Sequence, residues 1–104
     1  MSKIGIIGGS GLDDPQIFKS NRNIEIKTPY GETSSSIKES QIKEEQVFII
    51  ARHGRGHSIT PSNVNYRANI WALKEIGCKY ILASTAVGSL KEEIKPGDIV
   101  LPNQ

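Results

Sequence analysis

With a single cysteine, Cys78, the 104-residue chain excludes an internal disulfide and any cysteine-cluster metal site, and its cysteine usage fits a reducing compartment. Aromatic residues make up only 6%, so a core must rest on Ile, Val and Leu. No apolar run approaches membrane-spanning length, and the stretch after Met1-Ser2-Lys3 is too short and glycine-rich for the apolar region of a signal peptide. Charge of one sign is not concentrated. Thirteen Lys and Arg against eleven Asp and Glu give +2, and both signs alternate through Lys38-Glu39, Lys43-Glu44-Glu45 and Lys91-Glu92-Glu93, the pattern of solvated faces. Without a basic stripe interleaved with aromatics, neither a nucleic-acid partner nor a membrane surface is expected. No H-E-x-x-H or comparable ligand spacing occurs, so no metal is expected. The expected location is the cytoplasm.

What is present is globular in type, 37% hydrophobic and 23% charged, at a length that supports one core. Ile4-Gly5-Ile6-Ile7-Gly8 predicts a first strand buried on both faces, ended by Gly8-Gly9-Ser10-Gly11. Leu12 to Ser20 predicts a short helix with Pro15 at its first position. Asn23 to Thr28 alternates as a half-buried strand closed by a Pro29-Tyr30-Gly31 turn. Ser34 to Ile42 reads as a solvated strand leading through Lys43-Glu44-Glu45 into Gln46 to Ala51, a strongly apolar and central run. Ser62 or Asn63 caps a predicted helix whose apolar face takes in Val64, Ala68, Trp71 and Ala72, widened by Tyr66, Ile70, Leu73 and Ile76; Gly77 stops it. So wide a face predicts packing against a sheet, with Trp71 and Cys78 in the core. Tyr80 to Ser84 reads as a buried strand, which completes a βαβ-like unit, and Ile99-Val100-Leu101 as a further one after Pro96-Gly97-Asp98. Neither an internal repeat nor a linker divides the chain. It stops directly after an apolar segment, as a sequence cut short would.

Three clusters each follow a predicted buried strand: Gly8-Gly9-Ser10-Gly11, Arg52-His53-Gly54 and Ser84-Thr85-Ala86-Val87-Gly88-Ser89. Ligands in α/β sheets gather beyond the strand C-terminal ends, so the three tips are expected to converge. The first offers backbone N–H donors and a hydroxyl, suited to an anion, although it matches neither G-x-G-x-x-G nor a P-loop and alone is explained by turn glycines. Arg52 adds a planar fork for oxyanions and His53 a donor of the type that titrates near neutrality. An ion pair between Arg52 and a local carboxylate is the competing reading, and His57 reads equally well as a solvated loop residue. Thr85 supplies a hydroxyl, and Ala86-Val87-Gly88 a small-residue path that a flat ligand can approach.

Ile4 to Leu12, Thr28-Pro29-Tyr30-Gly31, Ala51 to His57, Asn65 to Glu75, Thr85 to Leu90 and Pro96-Gly97-Asp98, in that order, resemble the methylthioadenosine phosphorylases of the purine nucleoside phosphorylase family. The resemblance implies an α/β fold with a mixed central sheet, incomplete in this chain, residues 1–104 forming the N-terminal part of a single phosphorylase domain. It implies a pentosyltransferase that uses inorganic phosphate as co-substrate, with no cofactor, to release a purine through an oxocarbenium-like transition state. Ser10, Arg52, His53, Thr85 and Ala86 would bind phosphate; Ala86, Val87, Gly88 and His57 would line sugar and base. The resemblance assigns no catalytic residue to this chain. The purine-selecting residues belong to a later part of the family's sequence, and relatives assemble as homotrimers or homohexamers. Inosine- or guanosine-type phosphorolysis and a truncated, inactive anion-binding remnant are the alternatives; a dehydrogenase ranks behind both because its third glycine and acidic partner are missing.

Overall fold

A computed structural model describes residues 2–9, 20–54, 56, 58–85 and 88–102. Its elements are β1 (Lys3–Gly8), β2 (Ser20–Ile24), β3 (Ile37–Ile42), β4 (Glu45–Ala51), a 3-10 turn (Pro61–Asn63), α1 (Tyr66–Ile76) and β5 (Tyr80–Ala83). The five strands form one mixed sheet in the order β2-β3-β4-β1-β5. β1 pairs in parallel with β4 and β5, whereas β3 runs antiparallel to both β2 and β4. No helix among the described residues is long and apolar enough to cross a membrane.

Alternation along the strands decides what faces α1. Gly5 and Ile7 stand beside Phe48 and Ile50 in register, and Ile7, Phe48 and Ile50 pack with Ile37, Ala72 and Leu73 into the core. Burying an aliphatic or Phe side chain of this size contributes about 1.5–3 kcal/mol, so this layer holds the helix on the sheet. Leu73 lies directly over Gly5, where an added Cβ would stand 2.8 Å from Leu73 Cδ1. The helix is capped at both ends. Asn65 Oδ1 accepts from the Ala68 N–H at 3.1 Å; Gly77, at φ 104°, ends the helix with its N–H on Lys74 O and the Cys78 N–H on Leu73 O, the paired bonds of a Schellman motif.

Several expectations need correction. The helix cap is Asn65, not Ser62 or Asn63, because residues 61–63 close a 3-10 turn and Val64 is extended. Trp71 is only half-buried, and Ile70 and Tyr66 are exposed, since α1 meets the sheet along the narrower line of Ala68, Asn69, Ala72 and Leu73. β2 ends at Ile24 rather than running to Thr28: its partner β3 begins at Ile37, and residues 34–36 turn away toward α1. β5 is an edge strand, with Leu82 61% exposed. The first strand is well covered only on the α1 side, Ile4 and Ile6 being half-buried. Ile99 and Leu101 are 93% and 90% exposed and form no strand, since they pair with none of the described strands. The helix expected over residues 12–20 lies, but for Ser20, outside the described residues, and Ser20 opens β2.

Half-buried Cys78 packs against the core, and burial pushes its thiol above the usual range while Lys3 pulls it down. Raised in the folded chain, the thiol ionises first in the unfolded one, so its contribution to stability is whole below the ordinary thiol range and declines as pH rises through it. Alkylation by iodoacetamide at mildly alkaline pH is therefore expected to be slower in the folded chain than in urea; equal rates would contradict the burial. Gly5→Ala is expected to cost about 1–3 kcal/mol in urea denaturation through overpacking against Leu73, and Leu73→Ala in the same chain should make the methyl group harmless.

Candidate functional site

Parallel pairing brings the C-terminal ends of β4, β1 and β5 to one edge of the sheet. Gly8 stands level with Ala51 and Ile7 with Ala83. The Arg52 N–H continues the ladder by donating to Gly8 O at 2.9 Å, and the Ser84 N–H donates to Ile7 O at 3.1 Å. Gly9 and Arg52 thus follow the paired ends of β1 and β4, and Thr85 follows Ser84 on the other side of β1. Arg52 and Thr85 flank the end of β1, as the sequence predicts.

The Arg52 side chain crosses toward that central tip. A Cβ at buried Gly9 would collide with Nη2 and lie 3.4 Å from Cζ, so the glycine is the seat of the guanidinium. Arg52 is half-buried, yet its guanidinium makes no hydrogen bond or ion pair among the described residues. The local carboxylate partner considered from the sequence is not found there. A partly desolvated cation without a counter-charge favours an oxyanion, since charge-assisted bonds strengthen as water is excluded.

His53 is oriented by the loop that follows it. Its Nδ1 lies 3.1 Å from Ile59 O, and because a carbonyl only accepts, the ring proton sits on Nδ1. The Ile59 N–H returns a bond to His53 O at 2.8 Å, and the Gly54 N–H donates to Ala51 O at 3.0 Å. Gly54 adopts φ 77°, and a Cβ there would stand 2.9 Å from Ser58 Oγ, so the turn admits glycine and little else. Nε2 of the neutral ring is then an acceptor.

Thr85 and Gly88 are exposed. Ser10, His57, Ala86 and Val87 lie outside the described residues. Concavities of about 610 and 600 Å³ lie along residues 25–36 and over Ile4, Ile6, Val47 and Leu82. Position in the sheet and a guanidinium without a counter-charge among the described residues single out the strand ends.

Two features escaped the sequence reading. The sequence presents Gly9 as part of an N–H nest, whereas its missing side chain makes room for Arg52. A polar side chain, fully buried Asn69, also sits within the helix face that packs on the sheet. Its Oδ1 accepts from the Ser34 N–H at 2.9 Å and its Nδ2 donates to Ser34 Oγ at 3.0 Å. The available signal was an asparagine one helical turn after the capping Asn65, on the same apolar face.

Known proteins resemble this chain throughout. Residues 3–104 match the family model described as the phosphorylase superfamily. An S-methyl-5'-thioadenosine phosphorylase of Drosophila melanogaster is 58% identical over 97% of this chain and 35% of its own length. That of Saccharolobus solfataricus is 52% identical over 99% of this chain and 38% of its own. The methylthioadenosine phosphorylase of Schistosoma mansoni superposes with a TM-score of 0.87 at 50% identity, over 94% of this chain and 35% of that one; the same enzyme has been solved with adenine and with tubercidin. The chain thus spans about a third of the length of these relatives. Because backbone and sequence agree across nearly all the residues present, the chain belongs to the phosphorylase superfamily.

Proposed function

We propose that these residues supply the phosphate-binding part of an enzyme that phosphorolyses S-methyl-5'-thioadenosine to adenine and 5-methylthioribose 1-phosphate. The observation that carries this reading is the Arg52 guanidinium, half-buried and without a protein counter-charge among the described residues, seated against Gly9 where three parallel strands end. Adenine and its nucleoside analogue tubercidin in structures of a half-identical relative support the nucleoside as the second substrate.

In this reading a phosphate oxygen bonds to the anomeric carbon as the bond from that carbon to the purine nitrogen breaks, and the purine leaves with the bonding pair and takes up a proton. Arg52 holds the phosphate dianion by paired N–H bonds, and the P–OH group of that dianion donates to His53 Nε2. Ser10, Thr85 and the Ala86 N–H complete the cradle, while Ala86, Val87, Gly88 and His57 line the sugar and base. Rate then comes from holding the nucleophile in line and from placing its negative charge against the cationic ribosyl group. Inorganic phosphate is the co-substrate, no cofactor takes part, and the whole protein works in the cytoplasm as a homotrimer or homohexamer.

In the whole protein, adenine release should depend on phosphate. Arg52→Ala should raise the phosphate KM by roughly 10–100-fold, the equivalent of about 1.5–3 kcal/mol for bonds to a charged group; an unchanged KM in steady-state assays would remove Arg52 from the site. Gly9→Ala should raise the same constant by a smaller factor, by displacing the guanidinium without deleting it. His53→Asn keeps an N–H donor for Ile59 O but removes Nε2, so it should weaken phosphate binding in calorimetry while leaving thermal stability close to that of the parent.

A further inference from the structure

We infer that Asn69 and Ser35 form a positioning relay that sets where Arg52 stands, a role that rests on the phosphate site proposed above. β3 and β4 pair only from Lys38 opposite Ile49 outward, so the ladder gives the N–H of Ala51 no backbone partner on the β3 side. The Ser35 hydroxyl takes its place: the Ala51 N–H donates to Ser35 Oγ at 3.0 Å, and that hydroxyl donates onward to Ser36 O at 2.8 Å. On the other side the Arg52 N–H holds Gly8 O. The two successive peptide units that lead to the Arg52 side chain are therefore held from opposite sides, one by a serine side chain and the next by a neighbouring strand.

Ser35 is itself held in place. Asn69 grips the preceding residue at two atoms, accepting from the Ser34 N–H and donating to Ser34 Oγ, and Thr33 Oγ1 donates to Ser35 O at 2.7 Å. Asn65 fastens the start of the same segment, its Nδ2 donating to Tyr30 O at 2.8 Å while its Oδ1 caps the helix. One face of α1 thus straps residues 30–35 across the end of β4. A fully buried amide is costly to keep in a helix face that otherwise presents Ala68, Ala72 and Leu73 to the sheet, and a simple packing role would be met better by an apolar residue of similar size. Its two bonds carry the position of the helix to the backbone beside Arg52.

The test compares Asn69→Ala, Ser35→Ala, Ser35→Thr and Arg52→Ala in the whole protein by phosphate kinetics and by native-state hydrogen exchange. Ser35→Ala leaves the core intact and so covers the case in which Asn69→Ala does not fold. Expected are a rise of about tenfold in phosphate KM for Ser35→Ala and Asn69→Ala with kcat changed by less than about twofold, since misplacement of a binding group is read there. Ser35→Thr keeps the hydroxyl and should restore the parent value. The Ala51 amide should exchange at least about tenfold faster in both alanine variants while the Leu73 amide keeps its protection. Unchanged Ala51 exchange, or a loss confined to kcat, would overturn the relay. A parent protein without phosphate-dependent turnover, or an Arg52→Ala variant with normal phosphate KM, would instead sink the functional reading, and the exchange data would still decide whether the clamp exists.

Discussion

β1 hydrogen-bonds in parallel to β4 on one side and to β5 on the other, and nearly everything of interest in this chain follows from that double pairing. Parallel neighbours point the same way, so Gly8, Ala51 and Ala83 all end at one edge, and the residues after them leave the sheet as neighbours. A parallel pair cannot be closed by a tight turn; the return from β4 to β5 needs a crossover, which α1 provides. The same helix covers the sheet face that carries Ile7, Phe48 and Ile50. Site and core are thus two results of one topological constraint.

Around that constraint, small residues admit close approach where large side chains must pass. Gly5 lets Leu73 settle onto β1, and Gly9 lets the Arg52 guanidinium lie across the strand tip. Both are places where an added methyl group meets a neighbour before it meets solvent. The two glycines serve different ends, packing in one case and electrostatic placement in the other, through the same absence of a Cβ.

The strands of the central sheet were legible because each is a short apolar run broken by turn residues, and the C-terminal stop of α1 because Gly77 is the residue that takes a left-handed φ cheaply. The edges were not. Ile24 to Lys27 and Ile99 to Leu101 carry strand-like residues, but a strand exists only where a neighbour offers hydrogen bonds, and no periodicity within a segment reports that. For the candidate site, Arg52, His53 and Thr85 were found as polar interruptions of buried runs. The roles of Gly9, Ser35 and Asn69 stayed hidden because each acts through a residue distant in sequence.

By itself, then, the order of residues determined which segments are apolar, where they turn, and that a cation, an imidazole and a hydroxyl follow three of them; it also sufficed to identify the family. Tertiary structure alone decided that the three segments lie side by side and parallel, that Arg52 turns onto Gly9 and has no carboxylate among the described residues, and that α1 reaches through Asn69 to the end of β4. The reason is physical: side-chain type and spacing are local properties of a chain, whereas pairing register and the absence of a counter-charge exist only between parts that folding brings together.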